Sequence, residues 1–202
     1  MYSLEFKTNI ITINDLIQTY CFADRFMEFC KGCSEYNAVW SCPPLNIDPL
    51  AYLKEYEHAL IIGAKIIYSP DFIEEAKAVP EEAQAAYYEA SENVVKALLH
   101  TEYDFQSIKA IAPGSCRICV PCERAFARKC KYPDKMRYSF DSFGMDLTKI
   151  AQALLGTELL WEKSGLPEYH MLISAFLIKD SGDISVYSEF LINEFIKNMG
   201  QK

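Results

Sequence analysis

The chain has 202 residues, of which half are apolar and 13% aromatic, so it can bury a core and disorder is not expected. Its formal net charge of −8 disfavours a general nucleic-acid binder, which is more often basic. The first residues lack the cationic start and apolar run of a secretory signal, and no apolar stretch is long enough to cross a bilayer. We therefore expect a cytoplasmic protein with reduced thiols and with neither a nucleic-acid nor a membrane partner.

The first half of the chain predicts two strands and three helices. A strand is expected over residues 4–12, followed by a helix over roughly 14–29. The continuous apolar run at 58–68 is rich in β-branched residues and predicts a buried strand. Ser69 is expected to cap a long helix that follows, with Pro80 as a point at which this helix can begin again.

The second half continues the alternation of strands and helices. Its predicted elements are a strand at 106–112, a short helix at about 122–130, a helix from Asp146 to Leu155, a strand at 169–178 and a helix from about Ser188 to Met199. This order predicts an α/β or α+β fold, with a central sheet of about four strands layered with helices. We predict a single domain over residues 1–202, carrying cysteine-rich loops at 30–44 and 116–137.

Four of the eight cysteines lie in the run CRICVPCERAFARKCKYP. This second cysteine group consists of Cys116, Cys119, Cys122 and Cys130. The CxxCxxC spacing lets one tight loop present three sulfurs to a small volume, and a more distant fourth cysteine can close the cage. The pattern resembles the cluster-binding loops of bacterial ferredoxins, although there the fourth cysteine comes sooner and directly precedes a proline. We predict that all four are metal ligands.

Basic residues surround the second cysteine group in an otherwise acidic chain. They are Arg117, Arg124, Arg128, Lys129, Lys131, Lys135 and Arg137. Such a field is expected to lower the pKa of the thiols, to offset the charge of a cluster and to dock an acidic partner. Arg137 is the candidate for neutralising a cluster or holding an anionic ligand. The alternative is an ordinary solvated surface.

A first cysteine group, formed by Cys30, Cys33 and Cys42, lies in the run CKGCSEYNAVWSCPP. We predict that these three residues are also metal ligands. Neighbouring aromatic rings could shield a cluster from water or serve as ordinary packing anchors. Cys21 is not expected to join them, because one helix over residues 14–29 would hold it about 13 Å from Cys30 on the opposite face.

Three ways of sharing these seven sulfurs remain open. The second group can hold a complete cluster while the first holds a cluster with one open iron, which is the arrangement we favour. Alternatively, Cys130 serves the metal of the first group, as the fourth cysteine does in two-cluster ferredoxins. In the third arrangement, one zinc is bound by a pair of cysteines from each group.

Two longer patterns carry a resemblance to a known family. They are Cys30-x2-Cys33 with Tyr36 and Trp40-Ser41-Cys42-Pro43-Pro44, and then Cys116-x2-Cys119-x2-Cys122 with Cys130-x2-Pro133, Arg137, Ser139, Gly144 and Asp146. Together they resemble the signatures of an uncharacterised bacterial and archaeal family of metal-binding proteins, classed as a domain of unknown function. Tyr138 and Asp141 are mild departures from its pattern. The resemblance implies metal binding through cysteines, with iron–sulfur as the expected form, and it brings no reaction.

Nucleotide-fold, zincin and serine-hydrolase functions lose support because the sequence lacks GxGxxG, GxxxxGK[ST], HExxH and GxSxG. We expect one or two [4Fe–4S] clusters that serve electron transfer or redox chemistry on a small molecule or an acidic partner protein. A non-enzymatic module, in which zinc staples the two loops, is the main alternative. A metal-free thiol protein with CxxC redox activity is the third class.

Overall fold

A four-stranded antiparallel sheet forms the centre of the computed structural model, which describes residues 1–160, 165–179 and 182–200. The strands lie in the order β1-β2-β4-β3. In chain order they are β1 (Tyr2–Thr12), β2 (His58–Tyr68), β3 (Ile108–Ile111) and β4 (Tyr169–Ile178). This is an α+β fold, which confirms the predicted four-stranded sheet layered with helices.

Helices cover both faces of the sheet. They are α1 (Ile13–Tyr20), α2 (Ala23–Lys31), α3 (Pro49–Leu53), α4 (Pro70–Ala78), α5 (Pro80–Asp104), α6 (Leu147–Leu155) and α7 (Ile184–Met199). One core lies between the sheet and α4, α5 and α7. A second core lies between the other face and α1, α3 and α6. No helix within the described ranges combines the length and the apolar character that spanning a membrane requires.

Strand β2 is apolar on both faces because a helical layer covers each side. Ile61 and Ile62 point to opposite faces and are both 0% exposed, one in each core. The next residue of the strand, Gly63, allows α6 to approach the sheet closely, since an added Cβ would lie 2.7 Å from Leu155 Cδ1. The predicted buried strand at 58–68 is confirmed.

The predicted helix boundaries that depend on capping are also confirmed. The Ser69 hydroxyl accepts a hydrogen bond from the backbone N–H of Phe72 at the start of α4. Helix α5 restarts at Pro80, where the missing N–H costs no hydrogen bond. Asp146 caps α6, and Gly156 ends it with a φ of 57°, in the left-handed region that favours glycine.

The single helix expected over residues 14–29 is wrong, because α1 and α2 are separate helices. Cys21 leaves the helical path to form an isolated antiparallel bridge with Met145. The backbone N–H of Phe22 donates to Gly144 O at 2.8 Å. Hydrogen bonds to a distant segment therefore override the local helical pattern, and the spacing argument that excluded Cys21 no longer applies. The Cys21 thiol is half-buried and donates to Phe143 O at 3.6 Å.

The helix predicted over residues 122–130 is also wrong. The structure has only a short 3-10 turn at Glu123–Phe126, which ends because Ala127 adopts a φ of 55°. Two other boundaries differ, since β3 is shorter than the predicted strand and α7 begins at Ile184 behind an Asp183 cap. The second cysteine-rich segment is therefore almost entirely loop, held in place by contacts from outside it.

Candidate metal centre

The two cysteine-rich loops lie side by side. The first loop covers residues 30–44 and the second loop covers residues 116–137. The backbone N–H of Cys116 donates to Ser41 Oγ at 2.8 Å, across 75 positions of sequence. The Trp40 indole donates to Arg128 O at 3.1 Å. Residues next to both cysteine groups thus contact each other directly, and the fold brings the two groups into one region.

Arg124 of the second loop is the main clamp between the loops. Its guanidinium lies over the Trp40 ring, with Cζ 5.0 Å from the ring centroid. Its two terminal nitrogens donate to four oxygens of the first loop: Val39 O at 3.0 Å, Cys42 O at 2.8 Å, Asn37 Oδ1 at 3.0 Å and Pro44 O at 2.7 Å. Hydrogen bonds from a charged donor are stronger than neutral ones. One side chain therefore holds the backbone on both sides of Cys42.

Arg137 closes the base of the second loop and is already bonded to protein groups. It is 8% exposed, and its Nε and Nη2 donate to the two carboxylate oxygens of Glu102, each at 2.6 Å. Its Nη1 donates to Asp134 O and Met136 O, both at 2.8 Å. The prediction that Arg137 binds a cofactor remains untested. The structure shows instead a bidentate ion pair that fixes where the loop rejoins the core.

Two thiols of the second cysteine group, Cys116 and Cys119, respond to the charges of the others. Burial raises the pKa of Cys116, and the charges of Cys119, Cys130 and Cys122 raise it further. Burial likewise raises the pKa of Cys119, with the charges of Cys122 and Cys130 adding to the effect. Like charges interact in this way only when they are close. The loop therefore gathers its four sulfurs, including the distant Cys130, into a common electrostatic environment.

The expected lowering of these pKa values by the basic residues is wrong for Cys116 and Cys119, because both pKa values are raised, with burial as the largest cause. Several of these basic side chains also contact protein groups other than the cysteines. The Arg117 guanidinium lies 4.0 Å from the Tyr88 ring centroid, and Arg124 is bonded to the first loop. Part of the positive charge is thus used in holding the loop in place.

The first cysteine group lies beside carboxylates. Burial raises the pKa of Cys42 to about 12, and the charges of Glu35, Asp141 and Cys33 contribute in the same direction. Burial also raises the pKa of Cys30, followed by the charges of Asp141 and Cys33. The three thiols are therefore near one another and near Asp141, which lies about a hundred positions later in the chain. Sequence reasoning missed this proximity.

All eight cysteines are free thiols. Within the described ranges, no three Cys, His, Asp or Glu side chains converge tightly enough to hold a metal ion as they are placed. The donor chemistry nevertheless fits a thiophilic metal, since four neighbouring thiols on one loop and three on the other form the kind of donor set that selects iron–sulfur clusters or zinc. The structure gathers the donors without closing them around an ion.

A comparison with protein-family models agrees with this donor set. The model of a family described as "Predicted metal-binding protein (DUF2284)" matches residues 16–178. The chain belongs to this family. The match spans both cysteine-rich loops and the strands β2, β3 and β4. No curated protein and no solved structure matches the chain.

Membership in DUF2284 supports metal binding, which is what the family's description states. The description names no metal and no reaction. The choice between iron–sulfur and zinc therefore depends on the arrangement of the two cysteine groups.

Two clefts lie near the second cysteine-rich loop, and the smaller one is lined in part by Cys116. The larger, of about 1110 Å³, runs between α4, α5 and β4 and reaches Asp141 and Gly114. The smaller, of about 830 Å³, lies beside Cys116 and includes the Glu102–Arg137 ion pair. Tyr88 borders both clefts. A small molecule could therefore approach Cys116 of the second cysteine group from a preformed cavity.

Proposed function

We propose that this DUF2284 protein is an iron–sulfur protein in which each cysteine group holds a cluster, used for electron transfer or redox chemistry on a small molecule or partner protein. One observation carries the proposal: after burial, the charges of the other thiols of the second loop raise the pKa of Cys116, and those of Cys122 and Cys130 raise the pKa of Cys119, as closely gathered sulfurs do. Four cysteines on one short loop are the usual ligand set of a [4Fe–4S] cluster.

The same electrostatic contacts favour one of the three arrangements. The charge of Cys130 acts on Cys116 and Cys119, which supports assigning Cys130 to the second cysteine group. The charge of Cys33 acts on Cys30 and Cys42, so the first group stands as a set of three. This pattern supports a complete cluster on the second loop and a three-cysteine cluster on the first. A zinc shared by pairs from both loops is less well supported.

The chain's own residues would prepare the site for such a cofactor. A bound cluster supplies the one-electron chemistry. The cysteine thiolates bind it, and partial burial of the loops limits the access of water. Arg124 fixes the two loops at a constant separation. Because this clamp already joins the two loops, a zinc ion is not needed to hold them together.

The decisive experiment is metal and sulfide analysis of protein prepared without oxygen. We expect a brown protein that absorbs near ~400 nm, with iron and sulfide in equal amounts. Cys119→Ser should lower the iron of the second cluster, and Cys33→Ser that of the first. Cys21→Ser is the matched control and should leave both unchanged, because the Cys21 thiol donates to Phe143 O at 3.6 Å and no other cysteine is among the influences on its pKa. A colourless protein with stoichiometric zinc would establish the alternative, and unchanged metal in both test variants would refute the ligand assignment.

The partner proposed for electron transfer is an acidic protein that docks on the second loop. Val120 and Phe126 expose 73% and 54% of their surface there. The same loop exposes four basic residues, Arg128, Lys129, Lys131 and Lys135, and Arg128 lies over the Phe126 ring. An apolar centre with a cationic rim suits a transient complex with a negatively charged surface. An electron would then leave the cluster through the loop that carries it.

A further inference from the structure

We propose that the smaller cleft is a binding site for a small organic carboxylate with an apolar body, in which Arg117 and Lys135 bind the carboxylate group. The cleft is built from the chain's own side chains whichever metal the loops hold, so this role does not depend on the iron–sulfur function. If the second loop holds a cluster, the bound molecule would lie beside Cys116, which lines the cleft.

The smaller cleft has the size and lining of a small-molecule site. Its volume of about 830 Å³ falls within the range of ligand pockets, roughly 300–1,000 Å³. Helix α5 forms one wall, and residues 112–118 and 134–137 form the other. Much of this wall is apolar or aromatic: Tyr88, Val95, Leu99, Tyr103, Ala112 and Ile118. The apolar body of a ligand would be buried against these side chains.

Two ion pairs neutralise four of the charged side chains that line the cleft. Arg137 is bonded to both carboxylate oxygens of Glu102, each at 2.6 Å. Lys96 faces Glu92 at 3.7 Å on the surface of α5. Neither pair therefore leaves a net charge for a ligand to neutralise.

The cations Arg117 and Lys135 have no such partner. Within the described ranges, neither side chain has a hydrogen bond or an ion pair. Asp134 is the one carboxylate of the cleft that is likewise unpaired there, and His100 is exposed. Two cations against one anion leave the cleft with a net positive charge, which favours an anionic ligand.

The backbone fixes the positions from which both cations extend. The backbone N–H of Cys116, next to Arg117, donates to Ser41 Oγ at 2.8 Å, and Ser41 is 0% exposed. Lys135 is flanked by two backbone carbonyls that both accept from buried Arg137 at 2.8 Å. Less freedom is lost on binding when the groups that bind a ligand start from fixed points.

Arg117 is arranged to bind a carboxylate. Its guanidinium lies over the Tyr88 ring, with Cζ 4.0 Å from the ring centroid. Stacking uses the face of the guanidinium and leaves its N–H groups available for a bidentate contact with a carboxylate. A monoanion also matches the surplus of a single positive charge better than a phosphate dianion does. The apolar walls then require that this monoanion has an organic body.

The first test measures binding by isothermal titration calorimetry to the full-length protein prepared without oxygen. Three probes share one apolar body and differ in charge: 2-naphthoate, the neutral 2-naphthamide and 2-naphthylmethylammonium. We expect the carboxylate to bind most tightly and the ammonium most weakly, because the cleft has a net positive charge. Equal affinity for the carboxylate and the amide, or no carboxylate binding at millimolar concentration, would overturn the proposal.

The double variant Arg117→Gln with Lys135→Gln tests the two cations. Binding of 2-naphthoate should weaken by about 10-fold, at the lower end for hydrogen bonds between charged groups because both side chains are exposed. Binding of 2-naphthamide should not change. The matched control is Arg25→Gln with Lys54→Gln, since Arg25 also lies over an aromatic ring, that of Phe26, but neither residue lines the cleft. A loop variant that binds 2-naphthoate as the control does would refute the role of these cations.

Lysine acetylation locates the site in the unsubstituted protein, so it decides the question even if the loop variant folds poorly. Bound 2-naphthoate should slow the acetylation of Lys135 several-fold and leave Lys129 and Lys131 unchanged, as measured by mass spectrometry. Those two lysines are exposed on the same loop but do not line the cleft. Equal protection of all three lysines, or of none, would show that the carboxylate does not bind in this cleft.

Metal and sulfide analysis of the same samples separates the role of the cleft from the proposed function. Charge-selective binding by protein that holds no iron would refute the iron–sulfur function and support the cleft as a carboxylate site. Iron-loaded protein without charge-selective binding would refute the role of the cleft alone.

Discussion

At the scale of single residues, the Glu102–Arg137 pair shows how the core supports the metal-binding loop. Glu102 lies near the end of α5 and also accepts hydrogen bonds from Lys109 and from the backbone N–H of Ala110, each at 2.9 Å. Burial alone would raise the pKa of Glu102, but hydrogen bonds from Arg137, Lys109 and Ala110 hold it below its ordinary value. One carboxylate thus ties α5, β3 and the end of the second loop together.

Replacing Glu102 with Gln should destabilise the protein by about 3 kcal/mol at pH 7, because it leaves Arg137 buried without a counterion. The measurement is the free energy of unfolding in urea. Because the pKa of the folded-state carboxyl is lowered, the wild-type advantage is present at neutral pH and is lost as the pH falls below ~4. The two proteins should therefore converge in acid.

Glu92→Gln, on the same helix, is the control for this prediction. Glu92 faces Lys96 at 3.7 Å, and both side chains are more than 60% exposed. Exposed pairs of this kind contribute less than about 0.5 kcal/mol. If the two substitutions cost the same, the Glu102–Arg137 pair does not hold the loop.

At the scale of elements, the two loops depend on contacts with each other more than on regular structure. Arg124 is the clearest case, since its four hydrogen bonds all cross from the second loop to the first. Two of these bonds are partly buried and two are exposed, so their strengths differ. The loops should therefore open as a unit when this one side chain is removed, while the sheet and its helices stay folded.

Arg124→Ala should lower the free energy of loop opening by about 3 kcal/mol, on the scale of hydrogen bonds to charged groups. The measurement is amide hydrogen exchange in the metal-free protein, where exchange should accelerate at residues 37–44 and 116–130. Arg128→Ala is the control, because its ion pair with Glu123 is long, at 3.4 Å, and the Arg128 side chain is 70% exposed. Exchange that accelerates equally throughout the core would show that Arg124 supports the whole fold and not the loops.

Local sequence patterns predicted the sheet, most helices and the helix caps, because apolar periodicity and capping residues act over a few positions. The cysteine spacings likewise predicted two donor groups. The sequence patterns did not predict the break at Cys21, the clamp by Arg124 or the position of Asp141. Each of these depends on contacts between segments about a hundred positions apart, which no local pattern encodes. A basic residue near cysteines could equally serve a cluster, a partner or another loop.

At the scale of the whole molecule, charge is unevenly distributed. The second loop has seven basic and two acidic residues, a net charge of +5, so a total of −8 leaves −13 for the rest. Arg117, Arg124 and Arg137 bind groups within the protein. The other four cations are exposed, and of these Arg128 pairs with Glu123 at 3.4 Å. The exposed cations form a positive patch on a negative molecule. Such a patch can orient an approaching anion toward the loop.

The charge reversal Lys129→Glu with Lys131→Glu should slow oxidation of the reduced protein by ferricyanide, a trianion, by several-fold at low salt. The physical reason is that these cations raise the local concentration of anions beside the second cysteine group. Added salt should reduce the difference, because the Debye length falls to about 10 Å at 0.1 M ionic strength. Stopped-flow measurement of the cluster absorbance gives the rates.

The matched control for this reversal is Lys54→Glu with Lys197→Glu, which changes the total charge equally but away from the second loop. If only total charge mattered, both double variants would slow the reaction alike. If the patch directs the oxidant to a cluster on this loop, the loop variant alone should lose most of the rate and most of the salt dependence. Equal rates in the wild type and both double variants would mean that electrons leave the protein at another site. The acidic partner would then have no reason to dock on the second loop.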